Sequence, residues 1–140
     1  MNLSEKVREL SQLIIKGETV KGMELYYAEA VIMQENEDEP RKGKSDCIEH
    51  EKGMLKKTRS NSARLLNQAI DALNGIVFSE WEYNFISHTG TNLKLTEVSI
   101  QQWIHGLIVK EKFYYKEIQK MGRPSAGEDG EVILKKDLYI

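Results

Sequence analysis

A single cysteine, Cys47, is all that 140 residues supply, so no disulfide can form within the chain. That places the default compartment in the reducing cytoplasm. A lone thiol is either a small buried apolar group or, as the alternative, a nucleophile. Long apolar runs are missing too. None approaches the roughly 18–20 residues that span a bilayer, so no membrane partner is expected. The opening MNLSEKVREL carries acidic residues early and lacks the unbroken apolar stretch of a signal peptide. The charge balance is close to even, at −2, and gives no basic face for nucleic acid. No glycine-rich phosphate cradle or nucleophile elbow occurs. No two of the three histidines lie at ligand spacing, and no acidic motif resembles a calcium loop. Neither a cofactor nor a metal is therefore expected.

What is present suits one globular domain with a core of its own. Leu3, Val7, Leu10 and Ile14 recur at the spacing of one helical face, and Asn2 followed by Glu5 resembles a capping box. Gly17 interrupts. A second helix carries Val20, Met23 and Tyr27 and ends near Ala28. Val31 to Asn36 is predicted as a strand, followed by a charged loop from Glu37 to Gly43. Ser45 is the expected N-cap of a third helix, with Asp46 and Glu49 in its first turn and Lys56 and Lys57 in its last.

Leu65, Leu66, Ala69, Ile70 and Leu73 fall at helical spacing. Asn74-Gly75 argues the other way, because that pair is a strong two-residue hairpin signal and a hairpin needs a strand on each side. Ser62 to Leu73 is accordingly predicted as strand, paired with Ile76 to Ser87. Leu93 to Ile104 and Ile108 to Lys116 alternate as strands around a tight turn at His105-Gly106. Helices first and strands afterwards predict an α+β domain over residues 1–117, with a largely antiparallel sheet. Residues 118–140, with MGRPSAGEDGE inside them, are expected to form a C-terminal loop or arm with one possible extra strand.

Two segments carry a family resemblance: YYAEAVIMQENEDEPRKGK (Tyr26 to Lys44) and VSIQQWIHGLIVKEKFYY (Val98 to Tyr115). The chain resembles the SnoaL-like, polyketide-cyclase-related branch of the nuclear-transport-factor-2-like superfamily over roughly residues 3 to 117. The resemblance implies a cystatin-like cone, about three N-terminal helices closing a curved antiparallel sheet around a pocket. It also implies homodimers, usually through the outer sheet face.

Glu35 falls where ketosteroid-isomerase-like members of the superfamily place their general base. A carboxylate at the mouth of an apolar pocket has its charged form disfavoured, which suits it to proton abstraction near neutral pH. The alternative is a solvated acid in the run Glu35, Glu37, Asp38, Glu39. The oxyanion donors of that isomerase would fall near Leu10 or Ser11 and near Ser99, and none of these suits the part. Steroid isomerisation is therefore not expected. The cyclases support their acid with a histidine, for which His88, before Thr89-Gly90, is the candidate; otherwise it is a surface residue.

On the late strand, Glu97, Ser99, Gln101 and Trp103 share one face, and Val98, Ile100, Gln102 and Ile104 the other. The superfamily's register turns the polar set toward the cavity and leaves the apolar set outward for a partner. Tyr27, Met33, Trp81, Ser99, Gln101 and Trp103 are the expected pocket residues. Three functions remain open: a binding site for a small, largely apolar molecule, an acid/base enzyme using Glu35, or a non-catalytic dimerisation module.

Overall fold

A computed structural model describes residues 1–116, 118–121 and 132–133. Helix α1 (Leu3–Ile15) begins with the expected capping box: the Glu5 amide donates to Asn2 Oδ1 at 2.9 Å, and the Asn2 amide to Glu5 Oε2 at 3.2 Å. Helix α2 (Thr19–Tyr26) passes directly into strand β1 (Tyr27–Glu35), so Tyr27 is a strand residue rather than the end of a helix. A two-residue strand β2 (Arg41–Lys42) folds back on β1 and leads into helix α3 (Lys44–Lys56).

Gly43, not Ser45, caps α3. Its φ of 94° is one that L side chains resist, and its carbonyl accepts the Cys47 amide at 3.0 Å. The Gly43 amide meanwhile bonds the Val31 carbonyl at 2.8 Å, which anchors the turn to β1 and starts the helix two residues early.

The long strands are β3 (Thr58–Asp71), β4 (Ile76–Ser87), β5 (Asn92–Ile104) and β6 (Leu107–Tyr114). The sheet runs β2-β1-β6-β5-β4-β3 and is curved and open. All its pairings are antiparallel except β1 with β6, which is parallel. The expected strand at Ser62 to Leu73 is there, although it begins at Thr58 and stops at Asp71.

The Asn74-Gly75 turn differs from the expected two-residue form. Asp71 pairs with Ile76, which leaves four loop residues. The Asp71 carboxylate takes the Asn74 amide at 3.2 Å and its Nδ2 at 2.7 Å, and this local closure draws the loop out of the ladder. His105 and Gly106 do form a two-residue turn, with φ of 51° and 78°.

Beyond β6, Ile118–Met121 forms strand β7, which pairs with Asn92 to Lys94 of β5 and so continues the line of β6; Val132–Ile133 forms β8 against it. The remaining residues of the expected C-terminal arm lie outside the described residues. No helix is long and apolar enough to cross a membrane among the described residues.

The interior has two apolar clusters with polar groups between them. One joins Val7, Leu10, Met23, Tyr26 and Trp103; the other joins Met54, Phe85, Leu93, Leu95 and Ile118. Along β5 the inward side chains run Leu93, Leu95, Glu97, Ser99, Gln101, Trp103, all buried. The polar trio thus separates the clusters. Burying such groups costs several kcal/mol unless each is hydrogen-bonded, so their partners matter.

Candidate functional site

Glu35 is the last residue of β1 and is 6 % exposed, whereas Glu37, Asp38 and Glu39 beyond it are exposed. The chain turns outward at Asn36, whose φ of 49° is tolerated best by asparagine among ordinary side chains. Asn36 is tied twice to the end of β6: its amide donates to the Phe113 carbonyl at 2.8 Å, and its Oδ1 accepts the Tyr115 amide at 3.1 Å. These bonds hold the Glu35 side chain inward. The β1–β2 ladder places Arg41 opposite Met33, two residues from Glu35, and Arg41 Nη2 lies 3.5 Å from Glu35 Oε1.

The centre of the polar layer is Glu111 of β6, 3 % exposed. Its Oε1 accepts the Tyr27 hydroxyl. Its Oε2 accepts Ser99 Oγ at 3.1 Å and Gln101 Nε2 at 2.8 Å. Trp103 Nε1 donates to Gln101 Oε1 at 2.9 Å. An indole nitrogen can only donate, so Trp103 orients the Gln101 amide with its NH2 toward the acid. Burial pushes the Glu111 carboxyl above the usual carboxylate range; its three donors oppose this and the nearby Glu35 charge adds to it. The Tyr27 phenol is likewise raised well above its ordinary value, first by burial and then by Glu111.

These groups face a cavity of about 70 Å3. Its polar side includes Glu35, Arg41, Glu51, Glu97, Ser99 and Glu111. Its apolar side includes Met23, Met33, Met54, Trp81, Phe85 and Phe113. The volume falls short of the roughly 300 Å3 at which drug-sized ligand sites begin. Three methionines in the wall give it the soft, adaptable lining that re-packs around different shapes. Among the described residues, no group of three or more His, Cys, Asp or Glu side chains is placed to hold a metal.

Comparison with solved structures places this architecture. A candidate SnoaL-like polyketide cyclase from Mesorhizobium loti superposes with a TM-score of 0.70 at 17% identity, over 82% of this chain and 100% of that one. A nuclear-transport-factor-2-like protein from Burkholderia pseudomallei gives 0.71 at 11%, over 83% and 92%. The chain has the SnoaL-like, nuclear-transport-factor-2-like fold. An epoxide hydrolase from M. tuberculosis, of the LEH-like type, shares that fold too, with a TM-score of 0.67 at 10% identity over 81% and 84% of the two chains. No family model matches the sequence, and no curated protein does.

Within this nuclear-transport-factor-2-like cone, Glu35, Tyr27, Met33, Trp81 and Ser99 all line the cavity. Gln101 and Trp103 stand behind it, acting on Glu111 through hydrogen bonds rather than lining the space. Trp103 packs instead on Tyr26, with ring centroids 5.8 Å apart. His88 lies elsewhere: it is exposed just beyond β4, with Nε2 2.7 Å from the Lys56 carbonyl at the end of α3. It ties a turn to a helix end and does not reach the acids.

The residues where the resemblance would put oxyanion donors are otherwise employed. Leu10 is core, Ser11 Oγ accepts Gln68 Nε2 at 3.1 Å, and Ser99 serves Glu111. Cys47 is buried and its thiol is pushed up by that burial, the opposite of an activated nucleophile. Sequence reasoning missed Glu111 and Arg41.

Proposed function

We propose that this chain binds a small, largely apolar molecule in the cone, within the cytoplasm. The observation that supports this is the buried acid Glu111, with three donors, facing a cavity whose other wall is apolar. A purely structural core gains nothing from such a group. Replacing buried charged networks by apolar residues of similar volume is often neutral or stabilising by about 1–4 kcal/mol. Perturbed titratable groups in clefts cluster instead at functional sites. Native mass spectrometry of the purified protein tests the reading, with a bound small molecule as the expected result. An adduct-free protein whose melting temperature no small-molecule library shifts would remove it.

A second reading is an acid/base enzyme of the cyclase, isomerase or dehydratase type. It is favoured by the placement of two carboxyl groups in one cavity, Glu35 beside Arg41 and Glu111 raised by burial. Pairs of acids in unlike surroundings are how one site holds a base and a proton donor together. Here Glu35 is the base. On this reading Glu35→Gln lowers turnover of the identified ligand by about 100-fold or more. Unchanged turnover would end that assignment.

We further propose that two copies associate through the outer face of the sheet. That face carries the apolar strip Phe78, Val98, Ile100 and Tyr114.

A further inference from the structure

If the cavity is a ligand site, as proposed above, one side chain of its wall also sets what the ligand must carry. Glu111 already holds three donors, and Glu35, Glu51 and Glu97 each have a partner within the protein. Arg41 is less complete. Among the described residues, its Nε is the single buried side-chain nitrogen or oxygen with no hydrogen-bond partner. A buried donor left unpaired is costly, and native proteins hold few of them.

The β1–β2 ladder places the guanidinium beside the cavity. Arg41 stands opposite Met33, and residues so paired share one face of the sheet. Both line the cavity. The Arg41 side chain is 20 % exposed, so solvent offers it little. Its Nη2 lies 3.5 Å from Glu35 Oε1, close enough to balance charge but beyond the range of a good N–H···O bond. Nε and Nη2 share one edge of the planar guanidinium, the edge that grips two oxygens side by side. Here that edge has a carboxyl near one nitrogen and no acceptor at the other.

We propose that Arg41 anchors the ligand, its Nε–H donating to an oxygen of a neutral molecule such as a ketone. Glu35 already balances the guanidinium charge, so what is lacking is an acceptor rather than an anion. An anion on Nε would also adjoin the Glu35 carboxyl, like charge against like. The apolar body of the ligand lies against the methionines of the wall, which adapt to its shape.

Three probes test this by ligand-induced NMR shifts at neutral pH: cyclopentanone, methylenecyclopentane and cyclopentanecarboxylate. The first two have nearly the same shape and differ in an oxygen against a CH2 group. In a cavity with no donor to offer, the hydrocarbon binds tighter, because the ketone must give up its hydrogen bonds to water. With Arg41 as anchor, the ketone is expected to bind at least about tenfold tighter than the hydrocarbon, the worth of one hydrogen bond to a charged group. The carboxylate should bind weakest. Cyclopentanone should also shift the Nε–H resonance of Arg41 in nitrogen-labelled protein. Arg41→Lys keeps the charge opposite Glu35 but has no Nε–H, so it should lower the ketone-to-hydrocarbon ratio severalfold. Circular dichroism checks that it folds, and the parent protein's ratio and resonance decide the matter if it does not. A hydrocarbon that binds as tightly as the ketone, a carboxylate that binds tightest, an unmoved Nε–H resonance or an unchanged ratio in the folded variant overturns the Arg41 inference. Each of these leaves the cavity standing as a ligand site. Silence from all three probes in the folded protein overturns both.

Discussion

Lys110, Glu111 and Lys112 follow one another on β6, yet only the middle residue is buried in the cone. Flanked by lysines, Glu111 reads as part of a solvated charged strand. Its inward position depends on a local irregularity: Gln102 pairs with Lys110 and Trp103 with Ile108, so Val109 is an extra residue on β6. That bulge lets Ile108 and Glu111 both face inward although they are three apart. A bulge leaves no signature in alternation, so Glu111 was not legible, whereas the family resemblance singled out Glu35. The burial of Glu111 has a measurable consequence. Folded, it holds its proton to a higher pH than it does unfolded. The folded chain therefore binds more protons just above the ordinary glutamate range, and stability falls as pH rises through that window. The contribution is full below about pH 4.3, the unfolded value, and lost once pH passes the folded one. One proton sets a limiting slope of about 1.4 kcal/mol per pH unit. Urea unfolding at successive pH values should show Glu111→Gln with the flatter profile, gaining on the parent protein as pH rises. A constant gap between the two at every pH would sink this account.

Elements were legible where a turn fixed them and blurred where one element runs into the next. Tyr27 sits four residues after Met23, so it shares a helical stripe on paper. In the fold it opens β1, pairs with Ile108 and reaches Glu111. The contacts that decide this come from β6, about eighty positions away, where no local pattern can register them. The β3–β4 loop shows the reverse case. Asn74-Gly75 pointed correctly to a hairpin against the helical spacing of Leu65 to Leu73, but the Asp71 side chain reshaped the turn. Gly75 is the residue that cannot change. Its φ is 67°, its carbonyl accepts the Trp103 amide at 2.7 Å, and an added Cβ would meet the Trp103 carbonyl oxygen. Gly75→Ala is strained on both counts and should cost about 1–3 kcal/mol, read from the denaturation midpoint. A loss within a few tenths of a kcal/mol would mean that the loop relaxes away from β5. Because Trp103 orients Gln101, the same change should also disturb the donors of Glu111.

For the whole molecule, period-two alternation on β5 divided its side chains into two faces, and the family register assigned the polar face inward. The structure has that arrangement: Glu97, Ser99, Gln101 and Trp103 are buried, while Val98 and Ile100 are only half-buried and Ile104 is exposed. The outer sheet face then inherits the apolar side chains. Phe78 lies opposite Ile100, and Val98 opposite Tyr114, so the four make a diagonal strip across β4, β5 and β6. Phe78 is 45% exposed and Tyr114 41%, high values for large rings on strands that are paired on both sides. A second copy suits this strip because a two-fold contact lays a surface against itself, and a broad sheet face can supply the roughly 800 Å2 per partner of a stable interface. The parent protein is expected to sediment as a dimer at micromolar concentration. Phe78→Glu places a carboxylate in the strip, two residues from Glu80 on the same face, and like charges would meet across the two-fold axis. That variant should sediment as a monomer, with its cavity intact, because Phe78 points away from it. A parent protein that already runs as a monomer would end the dimer proposal. A variant that stays dimeric would move the interface to another face.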